Sequence, residues 1–516
     1  MTKGGPVGFS FLSNTLSDDI RTVWISSTIL VRATKIFQNY TRVVFYENAP
    51  SNFKMFIRNP TENQKRPDFS QELYLIIATV FYTASLTVSN SFQNNLLSKK
   101  SCEPLIPFGE CLVGVYESQH HVDSDTHVLQ YLISFAVVLI AGTWSDSHGK
   151  RRKPLIFLPI IAQVLTDGLY FGCSYFNWFY YNNNIFLWII PALYIGRNIF
   201  WIGVMSYVSE NSTVKSRTLK HGIIIATYPI SSLMGAGLVA LLKICIDYDH
   251  YDFLFMIPIL LNLIALLVIN LLIKDTSDSC NGGIEGPRPI YVLKEFTDLF
   301  RDKLKGSAVV LALLIICQSI LVTRIECDYV LIMIYITQSF MWFNNEEVCF
   351  TVLKVISIFV GTVFSVSVLS HYMKIHDLLI SISVCCFYIA AAICYIFANQ
   401  FFQILMVTII YLCHGTVVTI ISSLTSKLVP TEQLGRLNAI QMCMNSLLTL
   451  GVVTTYQLAF YPIHYTDTGH LCMFTLLYAG LTLPILSVLV IIYFKYKHIM
   501  QNDTLLVKQD VYVISQ

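Results

Sequence analysis

The residues able to do chemistry in this chain are the few ionisable side chains that interrupt long apolar runs. Asp167 lies well inside the run 154–175, Arg197 inside 185–207 as part of Tyr194-Ile-Gly196-Arg197-Asn198, and Lys354 inside 348–370. Arg324, Glu326 and Asp328 follow one another at the end of the run 306–325. At the centre of a bilayer each such charge costs about 2.5–3.5 kcal/mol even on the lenient insertion scale, so a charge kept there is a candidate for pairing, proton transfer or substrate binding. Arg197 suits a carboxylate or phosphate, which its planar fork can grip at two points. Asp167 is a candidate proton acceptor, or else the partner of Arg197 in a structural pair. Lys354 with Glu326 or Asp328 reads as an outer-gate pair or as a static bridge between helices.

Enzyme chemistry is not expected. The chain has no Gly-x-x-x-x-Gly-Lys-Ser/Thr loop for ATP, no His-Glu-x-x-His, no Gly-x-Ser-x-Gly and no paired-cysteine metal site. No cofactor is implied beyond a coupling proton. The segment His120-His121-Val-Asp123-Ser-Asp125-Thr-His127 contains metal-ligand types, but its spacing fits no standard site and reads as a solvated loop. His221, His371, His376 and His414, each near a helix end, read as hydrogen-bonded rather than titrating.

The elements that must position these residues follow from hydropathy. Hydrophobic residues make up 54% of the 516 and charged residues 13%, which marks an integral membrane protein. A net charge of +2 gives no basic excess for nucleic acid. Apolar runs recur as about twelve segments, each near the ~20 residues a helix needs to cross hydrocarbon, and no period-2 alternation suggests a barrel. The expected architecture is therefore all-α, with twelve transmembrane helices. Positive charge gathers at alternate connections: Lys215, Arg217 and Lys220 after span four, Lys374 after span eight, Lys427 and Arg436 after span ten. The positive-inside rule makes those connections, and both termini, cytoplasmic. Boundaries follow as a cytoplasmic tail 1–70, a six-helix half 71–273, a linker 274–305 with Gly282, Gly283, Gly286, Pro287 and Pro289, a second half 306–494 and a cytoplasmic tail 495–516. The stretch 20–46 permits either an amphipathic helix on the membrane surface or a disordered tail.

The connection between spans two and three reads Gly142-Thr-Trp144-Ser-Asp146-Ser-His-Gly149-Lys150-Arg151-Arg152-Lys153. Gly149 supplies a tight turn, and four consecutive cations fix the cytoplasmic face. With Gly142, Asp146, Gly149 and Arg151 in place and Lys150 at the first basic position, it resembles the major facilitator signature G-x-x-x-D-x-x-G-R-R. That resemblance implies the major facilitator fold, two six-helix halves rocking about a midplane site. It also implies a conformational latch, in which Asp146 meets the start of span eleven and nearby cations when the cytoplasmic side is closed. Lys150 and Arg151 are the expected partners. His371-Tyr-Met-Lys374-Ile-His376-Asp377 takes the same place in the second half in degenerate form.

Trp144-Ser145-Asp146 is similar, more narrowly, to the solute carrier 46 family of proton-coupled folate transporters and their relatives. So are Lys215-Ser216-Arg217-Thr218, Ser426-Lys427-Leu428-Val429-Pro-Thr431-Glu432-Gln433-Leu-Gly435, Asn445-Ser446-Leu447 and Tyr461-Pro462. The chain departs from the folate-transporting members at Ile225, where they carry an acidic residue, and at Ser422, where they carry an Arg, so folate is not the expected substrate. The reading is a secondary transporter of a small organic solute, an organic anion or nutrient, in the plasma or endolysosomal membrane, with the proton as candidate coupling ion. It needs membrane lipid and a substrate but no nucleic acid and no protein partner. A transporter-derived receptor or scaffold is the alternative.

Most of the fourteen cysteines sit in apolar runs and read as small packing residues. Cys102 and Cys111 instead share a polar loop that the topology places outside, where a disulfide persists if it forms. The expected bridge between them gives an intact mass that rises on reduction; two free thiols in the unreduced chain contradict it.

Overall fold

The computed structural model describes residues 69–101, 133–148, 151–175, 196–213, 216–245, 254–273, 299–300, 305–340, 344–397, 400–410, 414–455 and 480–495. Cys102, Cys111, Gly149, Lys150, the 120–127 segment, most of the linker and both tails lie outside these residues.

The described chain is helical. In order it forms α1 (Phe69–Ser101), α2 (Ile133–Ser147), α3 (Lys153–Tyr175), α4 (Gly196–Glu210), α5 (Arg217–Cys245), α6 (Met256–Leu272), α7 (Lys305–Phe340), α8 (Asn344–Phe364), α9 (Asp377–Phe397), α10 in two described pieces (Phe401–Ile410 and His414–Lys427), α11 (Leu434–Thr455) and α12 (Gly480–Lys495). Among the described residues seven helices are long and apolar enough to cross a membrane, with α2, α6 and α12 as shorter apolar helices. The twelve segments fall one to each expected span. Helices are the necessary outcome, because hydrocarbon offers no partner to an unpaired N–H or C=O.

Three boundaries differ from the hydropathy reading. α1 continues past Phe92 to Ser101, and α7 continues past Ile325 to Phe340. Glu326 and Asp328 thus sit within α7 rather than at its outer end, because the apolar stretch from Tyr329 to Ile336 carries the helix onward. α8 loosens into a π-helix over Ser365–Tyr372. Lys374 then takes φ 54, a left-handed turn that ends α8 and delivers Asp377 to the start of α9.

Two cores form. One gathers Leu75 and Tyr82 of α1, Ile156 and Ile160 of α3, Phe200 and Val204 of α4 and Ala265 of α6. The other gathers Leu314 of α7, Cys385 and Tyr388 of α9, Ile420 of α10, and Ile485 and Leu489 of α12. A third cluster, of Val138 on α2, Leu155 on α3, Ile202 on α4 and Ala439 and Cys443 on α11, ties the first six helices to the last six.

Within each half a polar seam recurs at the same place. On α1 the hydroxyls of Thr79, Thr83, Thr87 and Ser91, four residues apart, each donate to the carbonyl one turn back, and Thr83 and Thr87 also meet Ser231 and Ser232 on α5. On α7 Ser319 and Thr323 meet Gln441 and Asn445 on α11. The α1–α5 and α7–α11 seams thus pair the first with the fifth helix and the seventh with the eleventh.

Small residues let these helices approach, as packing inside a membrane requires. Gly196 of α4 lies on Pro159 of α3, where a Cβ would come within 2.9 Å of the proline Cα. Gly196→Ala is expected to destabilise the fold by about 1–3 kcal/mol, the range for overpacking. Gly237→Ala, with nothing within 4 Å of the added Cβ, should leave stability close to wild type. Thermal unfolding of the purified variants checks the pair.

Candidate functional site

One end of the bundle carries the basic connections after α2, α4, α8 and α10, and the two halves are fastened there. Gly142 of α2 and Gly435 of α11 face each other: a Cβ on Gly142 would lie 2.6 Å from the Gly435 carbonyl oxygen, and one on Gly435 would lie 2.6 Å from Asp146 Oδ1. This closeness carries Asp146 to the first turn of α11. Its Oδ1 accepts from the Gly435 N–H at 3.1 Å and its Oδ2 from the Arg436 N–H at 2.8 Å. Such N–H groups have no partner inside the helix, and the helix dipole favours a negative charge beside them.

The carboxylate is fully buried and pairs with Arg152 Nη1 at 2.6 Å, with Arg436 Nε farther off at 3.9 Å. Arg152 is itself buried; its Nε and Nη2 donate to Glu210 Oε1 at the end of α4, and its Nη1 donates to Ser145 Oγ. Asp146 sits in the last turn of α2, beyond the apolar run. Burial there pushes its carboxyl above the ordinary carboxylate range, while Arg152 and the Arg436 N–H pull it back. The expected partners are corrected here. Arg151 is exposed, because the Ser145 hydroxyl donates to the Arg151 carbonyl and the turn swings the next residue inward, so Arg152 fills the role expected of Arg151, while Lys150 lies outside the described residues.

A second joint fastens the two halves at the same end. Asp377, at the start of α9, accepts from Thr218 Oγ1 of α5 at 3.2 Å, from Lys427 Nζ of α10 at 3.4 Å and from Ser370 Oγ at 2.6 Å. Around it Arg217 Nη1 donates to the Ser426 carbonyl, and His221 is fully buried between Ser209 of α4 and Ser422 of α10. Farther in, Asn438 donates to Ser206, and Asn198 donates to both Ser134 of α2 and Ser446 of α11. From Leu434 to Ser446 the helix rises about 18 Å, so the fastening reaches roughly the middle of the membrane.

Arg197 is next to Asn198, partly buried, at that same depth. Asp167 is fully buried inside the first half, where it accepts from Ser89, Gln163 and Asn262. Arg197 is not among these partners. Lys354 is buried in α8; the side chains of Glu326 and Asp328, its expected partners, lie outside the described residues. Arg324 is fully buried in α7, its guanidinium 4.2 Å from the centre of the Tyr388 ring on α9. Of the cysteines read as packing residues, Cys317, Cys385 and Cys443 are buried and Cys386 is exposed. Sequence reasoning missed Glu210 and the part of Asn198 between the halves. A lone carboxylate closing an apolar run at the basic end signalled the first; an amide beside an intramembrane arginine signalled the second.

The family model described as Major Facilitator Superfamily matches residues 124–453. Curated protein sequences give no match. Among solved structures, the human organic anion transporter MFSD10 (TETRAN) aligns over 82% of this chain and 100% of its own, with 14% identity and a TM-score of 0.61. The E. coli fucose:proton symporter FucP (N162A) aligns over 82% and 98%, with 13% identity and a TM-score of 0.57. A bacterial homologue of the iron transporter ferroportin, in an outward-facing state, aligns over 81% and 98%, with 13% identity and a TM-score of 0.59. At these identities the likeness is one of fold.

Truncating Arg152 leaves Asp146 and Glu210 buried without their shared cation, so Arg152→Ala is expected to cost about 3–5 kcal/mol of stability. Arg151→Ala, at an exposed position, should stay within about 0.5 kcal/mol. Denaturation of both purified variants in the same detergent makes the comparison, and equal losses contradict the assignment.

Proposed function

The chain belongs to the Major Facilitator Superfamily, and from that premise we propose that it is a secondary active transporter of a small organic solute that works by alternating access. The observation that carries the reading is the seating of Asp146 on the first turn of α11, between two halves with separate cores. A carboxylate in one half that grips the open end of a helix in the other supports a contact made in one pose and released in the next. In this reading the basic end is cytoplasmic, both termini face the cytoplasm, and the structure is closed on that side. Asp377 and Thr218 form the companion joint.

An organic anion or nutrient is the proposed cargo, with Arg197 and Lys354 as the cations at membrane depth that would hold an anionic group. The solute carrier 46 family is the proposed subfamily. Ser422 bonds to the buried His221 where folate-transporting members carry an Arg, which supports a substrate other than folate. The plasma or endolysosomal membrane is the proposed location.

Uptake into proteoliposomes under an acid-outside gradient tests the reading, with folates, small peptides, steroid conjugates and muropeptides as the panel. Saturable flux is expected, and Asp146→Asn should insert normally yet reduce it at least tenfold. The same variant should speed amide hydrogen exchange at Gly435 and Arg436. Wild-type flux and wild-type exchange in Asp146→Asn contradict the latch.

A further inference from the structure

We propose that Arg217 is a second latch residue, a positioning cation that caps the carboxyl end of α10 as Asp146 caps the amino end of α11. This rests on the carrier reading and adds to it the group that holds the other end of the same hairpin. α10 ends at Lys427, the turn runs from Leu428 to Gln433, and α11 starts at Leu434. Asp146 and Arg217 both belong to the first half, so one half grips the α10–α11 hairpin of the other by both of its helix ends.

The last carbonyls of a helix have no partner within it. Near the end of α10 the Ser422 and Ser423 carbonyls accept from the hydroxyls of Thr425 and Ser426, and the Thr425 carbonyl accepts from the Leu428 N–H. The Ser426 carbonyl is taken from the other half, by Arg217 Nη1 at 2.7 Å. Lys427, the basic residue of that last turn, reaches elsewhere: its Nζ donates to Thr218 Oγ1 and to Asp377 Oδ2. The helix dipole favours a cation beside these carbonyls, and a buried guanidinium is little screened there.

The second observation concerns the helix that Arg217 starts. It is the first residue of α5, where the dipole disfavours a cation, and that first turn carries no acidic residue to offset it. Arg217 is buried, and among the described residues no carboxylate pairs with it. Its contact within its own half is neutral: Nε donates to Ser212 Oγ at 3.1 Å, and Ser212 donates in turn to the Ser209 carbonyl. That chain of bonds aims the guanidinium at α10. Packing keeps it aimed, since Thr218 meets Ser423 and His221 meets Ser422 on the same stretch of α10. A cation set against its own helix is thus stabilised by the other half in the closed pose. Once α10 withdraws, cytoplasmic water takes over, so the residue holds the pose without trapping it.

Amide hydrogen exchange of the full-length chain in lipid nanodiscs, read at Gly435 and Arg436, tests this without a transported substrate. Those N–H groups bond Asp146 and not Arg217, so they report the pose rather than the altered side chain. Arg217→Gln should speed their exchange about tenfold or more, the worth of one hydrogen bond to a charged group. Arg217→Lys, which keeps the charge, should stay near wild type. Arg217→Glu should exceed Arg217→Gln, because the carbonyl end of α10 repels a negative charge. Amides of the first-half core around Ile160 should keep their wild-type rates in all three. Ser212→Ala, which keeps the charge and removes its aim, should give a smaller increase at Gly435 and Arg436, and it replaces Arg217→Gln if that variant does not fold. Wild-type rates in Arg217→Gln, or in Ser212→Ala in its place, overturn the proposal. So does equal acceleration in the Lys, Gln and Glu variants, or acceleration that extends to Ile160. Flux with wild-type exchange in every Arg217 variant leaves the carrier reading intact and removes this clamp; charge-graded exchange in a chain without flux does the reverse.

Discussion

A carboxylate seated on the open first turn of another helix is the contact on which the closed arrangement depends. Asp146 reaches α11 only because Gly142 and Gly435 carry no side chains, and α11 can offer its N–H groups only because it starts at Leu434 after the short turn Thr431–Gln433. Move either glycine or that start by one residue and the carboxylate meets methyl groups instead. The rest of the interface follows from this placement. Ala439 and Cys443 pack on Val138 and Ile202, and Asn438 and Ser446 come within reach of Ser206 and Asn198.

The architecture was legible in the sequence because a bilayer enforces it: apolar runs of one length can only be helices, and cations sort to one side. What was not legible was partnership. Four consecutive cations follow Gly149, and nothing in their order says which faces inward. The turn decides it, through the bond from the Ser145 hydroxyl to the Arg151 carbonyl, and selects Arg152. Asp167 likewise reads as a lone charge or as half of a pair with Arg197. Its partners are instead Ser89 and Asn262, 78 and 95 residues away, uncharged and hard to tell from many other polar residues in apolar runs. The extent of α7 was missed for a different reason, since charges at Arg324, Glu326 and Asp328 end a hydropathy window without ending a helix.

The two joints at the basic end differ in chemistry. The first offers Asp146 two main-chain N–H groups and a buried guanidinium; the second offers Asp377 two hydroxyls and a lysine that is partly exposed. A main-chain N–H at a helix start is fixed in direction, whereas a hydroxyl and an ammonium can swing away one at a time. The first joint therefore holds as a unit, and the second can loosen by steps. The π-turns of α8, packed by Val366 against Gly222 of α5, lie beside the looser joint.

A latch must also let go, and the location of the charges shows how it can. Asp146, Arg152 and Glu210 all belong to the first half, so their buried ion network remains whole when α11 withdraws. Among the described residues, what Asp146 loses across the divide is the pair of Gly435 and Arg436 N–H bonds and the distant Arg436 guanidinium. Hydrogen bonds to a charged group contribute about 1.5–3 kcal/mol each, so releasing them costs several kcal/mol and leaves no carboxylate buried without a cation. Had Arg152 come from the second half, opening would strand both charges at about 3–5 kcal/mol more, and the closed pose would become a trap. The division of partners, a permanent cation from the same half and a removable helix start from the other, keeps the two poses close enough in free energy for a solute to tip the balance.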